Sequence, residues 1–174
     1  KLNALHEILK GNTSEENFGL LNDDWTIEDR CREALDDWQL NSLSLAQQMS
    51  TLSGGQKTKV FLAAISIHQP ELILLDEPSN HLDLSGRELL YDFIQSTKST
   101  LIVVSHDRKL LNLLDIICEL SKHGIKVYGG NYNFYAQQKQ IEKSALNQDI
   151  QNKEKTLRKA KEKERETLER QQKM

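Results

Sequence analysis

What this chain does without narrows its possibilities first. Of 174 residues only two are cysteine and two are proline. Cys31 and Cys118 stand far apart without ligand-like neighbours, which argues against a disulfide scaffold or a zinc site and for reduced thiols in a cytoplasmic protein. Long apolar runs are missing as well. VFLAAI and LILL are the longest, far below the ~20 residues that span a bilayer, and no signal peptide opens the chain, so no transmembrane segment is expected. The first residue is lysine, so residue 1 is expected to be a cut within a longer protein. A further absence concerns phosphate chemistry. The eight glycines lie at 11, 19, 54, 55, 86, 124, 129 and 130, and none begins or completes G-x-x-x-x-G-K-[ST]. The loop that cradles phosphates, with its lysine, is therefore not in this chain.

What remains is ordinary for a water-soluble domain: 37% hydrophobic and 28% charged residues, with room for one core. The formal net charge of -3 conceals an uneven distribution. From Gln137 to Met174 there are 11 Lys/Arg and 7 Asp/Glu, a net of +4, against 12 and 19 before it, a net of -7. An acidic body carries a basic tail.

Residues 1–50 read as helices with polar joints, a helical subdomain. In WTIEDRCREALDDW, Thr26 and Asp29 have capping-box spacing, while Ile27, Cys31, Ala34, Leu35 and Trp38 share one helical face. A second helix is expected from Ser53 to about Gln69, stopped by Pro70. ELILLDEP and STLIVVSHD then look like buried parallel strands, separated by a helical GRELLYDFIQS. Weaker strands are expected near IICEL and IKVYGG. Beyond Tyr135 no proline or glycine occurs, and good helix formers dominate around a thin stripe of Ile141, Leu146, Ile150, Leu157, Ala160 and Leu168. Such a stripe suits one arm of an antiparallel helix pair better than a solvated single helix.

Three motifs carry the chemistry. In LSGGQ, Ser53 and Gln56 fit a capping box, so the segment serves equally as a plain helix start. Gly54 and Gly55 also offer backbone N–H groups at the positive end of a helix dipole, an anion cradle with the Ser53 hydroxyl beside it. LILLDEP ends in two carboxylates. Asp76 is placed to hold Mg²⁺ through water, and Glu77 to orient or deprotonate an attacking water, although two solvated acids before a turn would read the same. His106 in VVSHD also stands at a strand end. Strand ends of an open parallel sheet converge on a ligand crevice, where its imidazole can meet a γ-phosphate oxygen and the attacking water. His6, His68 and His123 have no such position and read as structural or surface residues.

In this order LSGGQ, DEP, NHLD and SHD resemble the second half of an ABC-type ATPase domain, an α/β, P-loop NTPase-like fold with a helical subdomain and a parallel sheet incomplete in this chain. The forms LSGGQKTKVFLA, LLDEPSNHLD and VVSHDRKLL, followed by YGGNYNFYAQQK and a charged helix, are similar to the ABC-F family's first nucleotide-binding domain running into its inter-domain linker. The resemblance implies a division into residues 1–50 (helical subdomain), 51–135 (C-terminal part of the ATPase core) and 136–174 (start of the linker). It also implies roles: Ser53, Gly54, Gly55 and Gln56 as signature loop, Asp76 as the metal-site carboxylate, Glu77 as catalytic glutamate and His106 as switch histidine. Asn80 to Asp83 correspond to the loop that touches a partner domain. ATP and Mg²⁺ are the implied cofactors, and a second ABC domain of the same polypeptide, the ribosome and its RNA the implied partners. Leu110 departs from the family's phenylalanine, with an expected effect on packing rather than chemistry. Without its phosphate loop the chain alone is expected to be inactive in hydrolysis, to expose strand edges and to associate. The alternative implied by the same motifs is the energy-coupling subunit of an ABC transporter.

Overall fold

The computed structural model describes residues 1–171, with side chains to residue 163. Residues 172–174 of the expected tail, and the Leu168 side chain of its stripe, lie outside what is described. Contacts divide the chain into two compact units, Lys1–Leu110 and a second from Leu111 onward.

The first unit opens with α1 (Leu2–Leu9), α2 (Glu15–Leu21) and α3 (Ile27–Asp37). Ala4, Leu5, Leu21 and Ile27 form a small core with Leu2, Ile8, Cys31 and Ile67 packed against it. On α3 the expected face is buried at Ile27, Ala34 and Trp38, and Trp38 meets Phe93 with ring centroids 6.0 Å apart. The capping box expected at Thr26 does not form. Thr26 sits at φ -93° and ψ 7°, near helical backbone, so its hydroxyl is not aimed at the first-turn N–H groups and makes no cap bond. His6 bonds Glu28 at 2.9 Å, the structural role expected of it.

Helix α4 (Gly54–His68) follows, ending at Gln69 in left-handed backbone just before Pro70. Strand β1 (Leu72–Asp76), helix α5 (Leu84–Ser96) and strand β2 (Thr100–Val104) make the predicted parallel pair, in register from Leu72↔Thr100 to Asp76↔Val104. A two-stranded parallel sheet is small. Its inward face holds buried Ile73, while Leu72, Leu74, Ile102 and Val104 on the other face are exposed, Leu74 by 68%. The strands are thus bare on one side, where burial on both faces was expected; an apolar run cannot tell whether a covering layer lies within the same chain. Helix α6 (Arg108–Leu111) closes this unit, with Leu110 wholly buried.

The second unit is an antiparallel hairpin, β3 (Ile116–Ser121) and β4 (Gly124–Gly129), leading into the long α7 (Tyr132–Gln171). Gly130, at φ +140°, turns the chain: a side chain there would strike Phe134, and its N–H bonds the Asp115 carbonyl at 2.7 Å. Asn131 then caps α7 through Phe134 N–H. One hairpin face is joined to α7. Glu119 accepts bonds from Tyr128 and Lys139, Lys126 pairs with Glu142, and the Tyr128 and Tyr135 rings stand 4.9 Å apart, edge to face. The Lys139 bond, against a smaller effect of burial, holds the Glu119 carboxyl below its ordinary value. The opposite face, with Ile116, Leu120, Ile125 and Val127, is exposed. No described helix is long and apolar enough to cross a membrane.

Candidate active site

Two adjacent parallel strands end side by side, and the residues that follow them form the site. At the end of β1 stands Asp76, exposed, opposite Val104 of β2. The next residue, Glu77, donates its N–H to the Val104 carbonyl at 2.8 Å and takes φ +45°. Left-handed backbone is costly for a residue with a side chain, and such strain concentrates where geometry serves function. Here it turns the Glu77 carboxylate across to the second strand end. Glu77 Oε2 accepts the His106 backbone N–H at 3.4 Å, and Oε1 lies 3.5 Å from His106 Nε2. The His106 side chain is 98% exposed against 25% for Glu77. One carboxylate and one imidazole therefore meet at an open surface.

The signature turn is built differently. Ser53 has extended backbone and begins α4; its hydroxyl accepts Gln56 N–H at 3.3 Å, while Gln56 Oε1 accepts Ser53 N–H at 3.0 Å. Both halves of the capping box are made, so the helix-start reading of Ser53 and Gln56 holds in full. It leaves the first-turn N–H groups of Gly54 and Gly55, which have no acceptor within a helix. Gly55 has a second reason to be glycine: an added Cβ would lie 2.7 Å from the His81 carbonyl oxygen. His81 itself takes φ +65° and lies in the Asn80 to Asp83 loop. Signature turn and NHLD loop are thus packed backbone to backbone.

Within that loop, Asn80 donates its N–H to the Glu77 carbonyl at 3.0 Å, which ties the loop to the strand end. Asp83 caps α5, accepting Gly86 N–H at 2.8 Å, with Lys59 Nζ 3.8 Å away. Lys59 is buried on α4, and Ser79 is buried in the turn. The nine nominated residues therefore fall in two groups that the 77–83 loop connects: Asp76, Glu77 and His106 at the strand ends, and Ser53 to Gln56 at the turn, with Asn80 and Asp83 between.

Residues to which sequence reasoning gave no role are Lys59, Tyr91 and Asp107. Asp107 accepts the Tyr91 hydroxyl at 2.7 Å. Burial works to raise the Asp107 carboxyl, but bonds from Tyr91 and from Leu110 and Lys109 N–H outweigh it and hold the group below its ordinary value. Burial, aided by Asp107, pushes the Tyr91 phenol up to about 12. Only Asp107 had a signal, its place beside His106.

Among the described residues no three His, Cys, Asp or Glu side chains cluster as a metal cage. Mg²⁺ asks for less: one or two carboxylates, with phosphate oxygens and water completing its shell. An exposed Asp76 at the strand end fits that requirement.

Comparison with known proteins follows the same lines. The family described as "ABC transporter" matches residues 2–80. The Bacillus subtilis protein YkpA, an "uncharacterized ABC transporter ATP-binding protein", is 42% identical over 96 residues, 55% of this chain and 18% of its own length. ABC transporter F family member 5 of Arabidopsis thaliana is 28% identical over 80% of this chain and 23% of its own. ABC transporter F family member 2 of Dictyostelium discoideum is 34% identical over 80% and 25%. A solved structure of a metal-chelate type ABC transporter, facing inward, aligns with a TM-score of 0.48 and 23% identity over 72% of this chain and 50% of that one. The chain spans no more than 25% of the length of these curated relatives.

Proposed function

This chain carries an ABC transporter-type ATP-binding domain with homologues named as ABC transporter F family members, and from that premise we propose that it supplies part of a composite ATP-hydrolysing site in a cytoplasmic ABC-F protein. The observation that carries the reading is the meeting of Glu77 and His106 where β1 and β2 end. In this reading the strand ends serve one ATP, whose phosphates rest on a loop outside this chain. The Gly54 and Gly55 N–H groups face the γ-phosphate of another ATP held by a second ABC domain.

The residues divide the work as their geometry allows. Asp76 would hold Mg²⁺ together with phosphate oxygens and water, and the ion, when bound, would shield phosphate charge. Glu77 accepts a proton from, or orients, the attacking water. His106, within reach of the same carboxylate, donates to a γ-phosphate oxygen and steadies the developing charge. Catalysis here is positioning and electrostatics, which suits a Glu77 whose backbone is tied to β2 by a 2.8 Å bond.

The basic tail supports ribosome and RNA contact through α7, since Lys and Arg neutralise phosphates in a salt-dependent way. The alternative, a transporter's energy-coupling subunit, leaves that tail without a role. Co-sedimentation under ATP of the intact polypeptide carrying Glu77→Gln separates the two. Enrichment with ribosomes supports translation; enrichment only with membranes sinks it. The chain by itself is expected to turn over ATP negligibly, and robust hydrolysis by the purified chain would refute the division of the site.

A further inference from the structure

We propose that Tyr91 and Asp107 are positioning residues that aim His106 at Glu77, a role resting on the catalytic reading of His106 given above. The His106 ring has little to hold it. Its side chain is 98% exposed and faces Glu77 at 3.5 Å, so its direction comes from the backbone at residues 105–107. That backbone is fixed one residue later. Asp107 Oδ1 accepts Lys109 N–H at 2.9 Å and Leu110 N–H at 3.2 Å, and Asp107 N–H donates to Ser105 Oγ at 3.0 Å. These bonds alone would start the short helix α6.

The second carboxylate oxygen goes elsewhere. Oδ2 accepts the Tyr91 hydroxyl at 2.7 Å, from the middle of α5, a helix that begins at the Asp83 cap of the NHLD loop. Tyr91 is buried, and Lys109 Nζ lies 4.8 Å from its ring centroid while bonding Glu88 of the same helix at 2.7 Å. Leu110 is wholly buried beneath the turn. Residue 107 is thus held by a side-chain bond to α5, a cap bond to α6 and an apolar anchor. A helix cap requires only the first oxygen; the phenol bond adds orientation relative to α5. Because the His106 N–H itself donates to Glu77 at 3.4 Å, a small swing of this backbone moves both the N–H and the ring from the carboxylate.

Two measurements test the proposal on Tyr91→Phe, which keeps the ring and removes the hydroxyl, and on Asp107→Asn, which keeps the size and a cap acceptor. In the chain itself, NMR should show the His106 amide and imidazole resonances displaced by either substitution, with those of His68 and His123 unmoved. Unmoved His106 resonances in both variants overturn the proposal whatever the ATPase assay gives. In the intact polypeptide, Tyr91→Phe should lower kcat about tenfold with KM for ATP within about twofold, the scale of a slight misplacement in a positioned site. In a His106→Ala background the same substitution should cost nothing more, because its effect passes through the ring. An equal loss in both backgrounds overturns the proposal. Displaced His106 resonances in a polypeptide whose parent does not hydrolyse ATP would uphold the positioning and refute the catalytic reading instead.

Discussion

At Ser53 the polar side chains are turned back onto their own helix, whereas at Glu77 and His106 they are turned outward across two strand ends. The signature turn engages its side-chain oxygens in a complete capping box, and the backbone N–H groups of two glycines, with the Ser53 O–H, remain as donors. The strand ends do the reverse, spending backbone strain at Glu77 to present a carboxylate beside an imidazole. In the proposed function the difference separates binding from chemistry: one region offers N–H dipoles, the other a carboxylate and an imidazole suited to proton exchange.

The largest effect expected from breaking this contrast falls on the strand ends. Glu77→Gln should lower ATP turnover of the intact polypeptide by about 10²- to 10⁴-fold, the usual range for a general base, while Glu71→Gln before the strand leaves it near the parent's. Similar loss in both would remove the distinction. Next comes Gly55→Ala, whose methyl would crowd the His81 carbonyl from 2.7 Å; a destabilisation of about 1–3 kcal/mol is expected in urea unfolding of the chain. An unshifted midpoint would mean the two backbones do not need their close approach. Ser53→Ala should cost about 1 kcal/mol through the lost cap, read by the same method, with no effect on His106 resonances.

The smallest effects are in pH. Asp107 titrates below its ordinary range when folded, so its contribution is full above the ordinary carboxylate range and fades as pH falls through the folded value. Tyr91 is raised to about 12, so its contribution is full below about 10, the ordinary phenol value, and is lost as pH rises through about 12. Denaturation midpoints across pH should show Tyr91→Phe flattening the alkaline limb and Asp107→Asn the acid one. Parent-like limbs in both variants would detach this pair from the stability of the unit.

Much of this is legible in the sequence. Helix α4 with its Ser53 start and Pro70 stop, the parallel pair β1 and β2, the hairpin and the charged α7 follow from periodicity and turn residues. That β1 and β2 end side by side, which brings Glu77 to His106, follows from the topology of such a sheet. What was hidden is of another kind. Thr26 has the right spacing for a capping box but the wrong backbone, and spacing does not report φ and ψ. Gly55 looks like a ligand glycine, yet part of its requirement comes from His81, 26 positions along the chain. Tyr91 and Asp107 meet across 16 residues through a side-chain bond that no local pattern encodes. The bare faces of Leu74 and Ile102 were not foreseen either, because an apolar run reads the same whether one face or both are covered.

The nucleotide retained by the intact Glu77→Gln polypeptide tests the central claim most directly. After loading with Mg²⁺ and ATP and removal of free nucleotide, the protein should hold ATP, because in the proposed composite site the substitution removes the proton acceptor and leaves the binding groups in place. Retention of ADP, with turnover at the parent's rate, would contradict the assignment of chemistry to the strand ends.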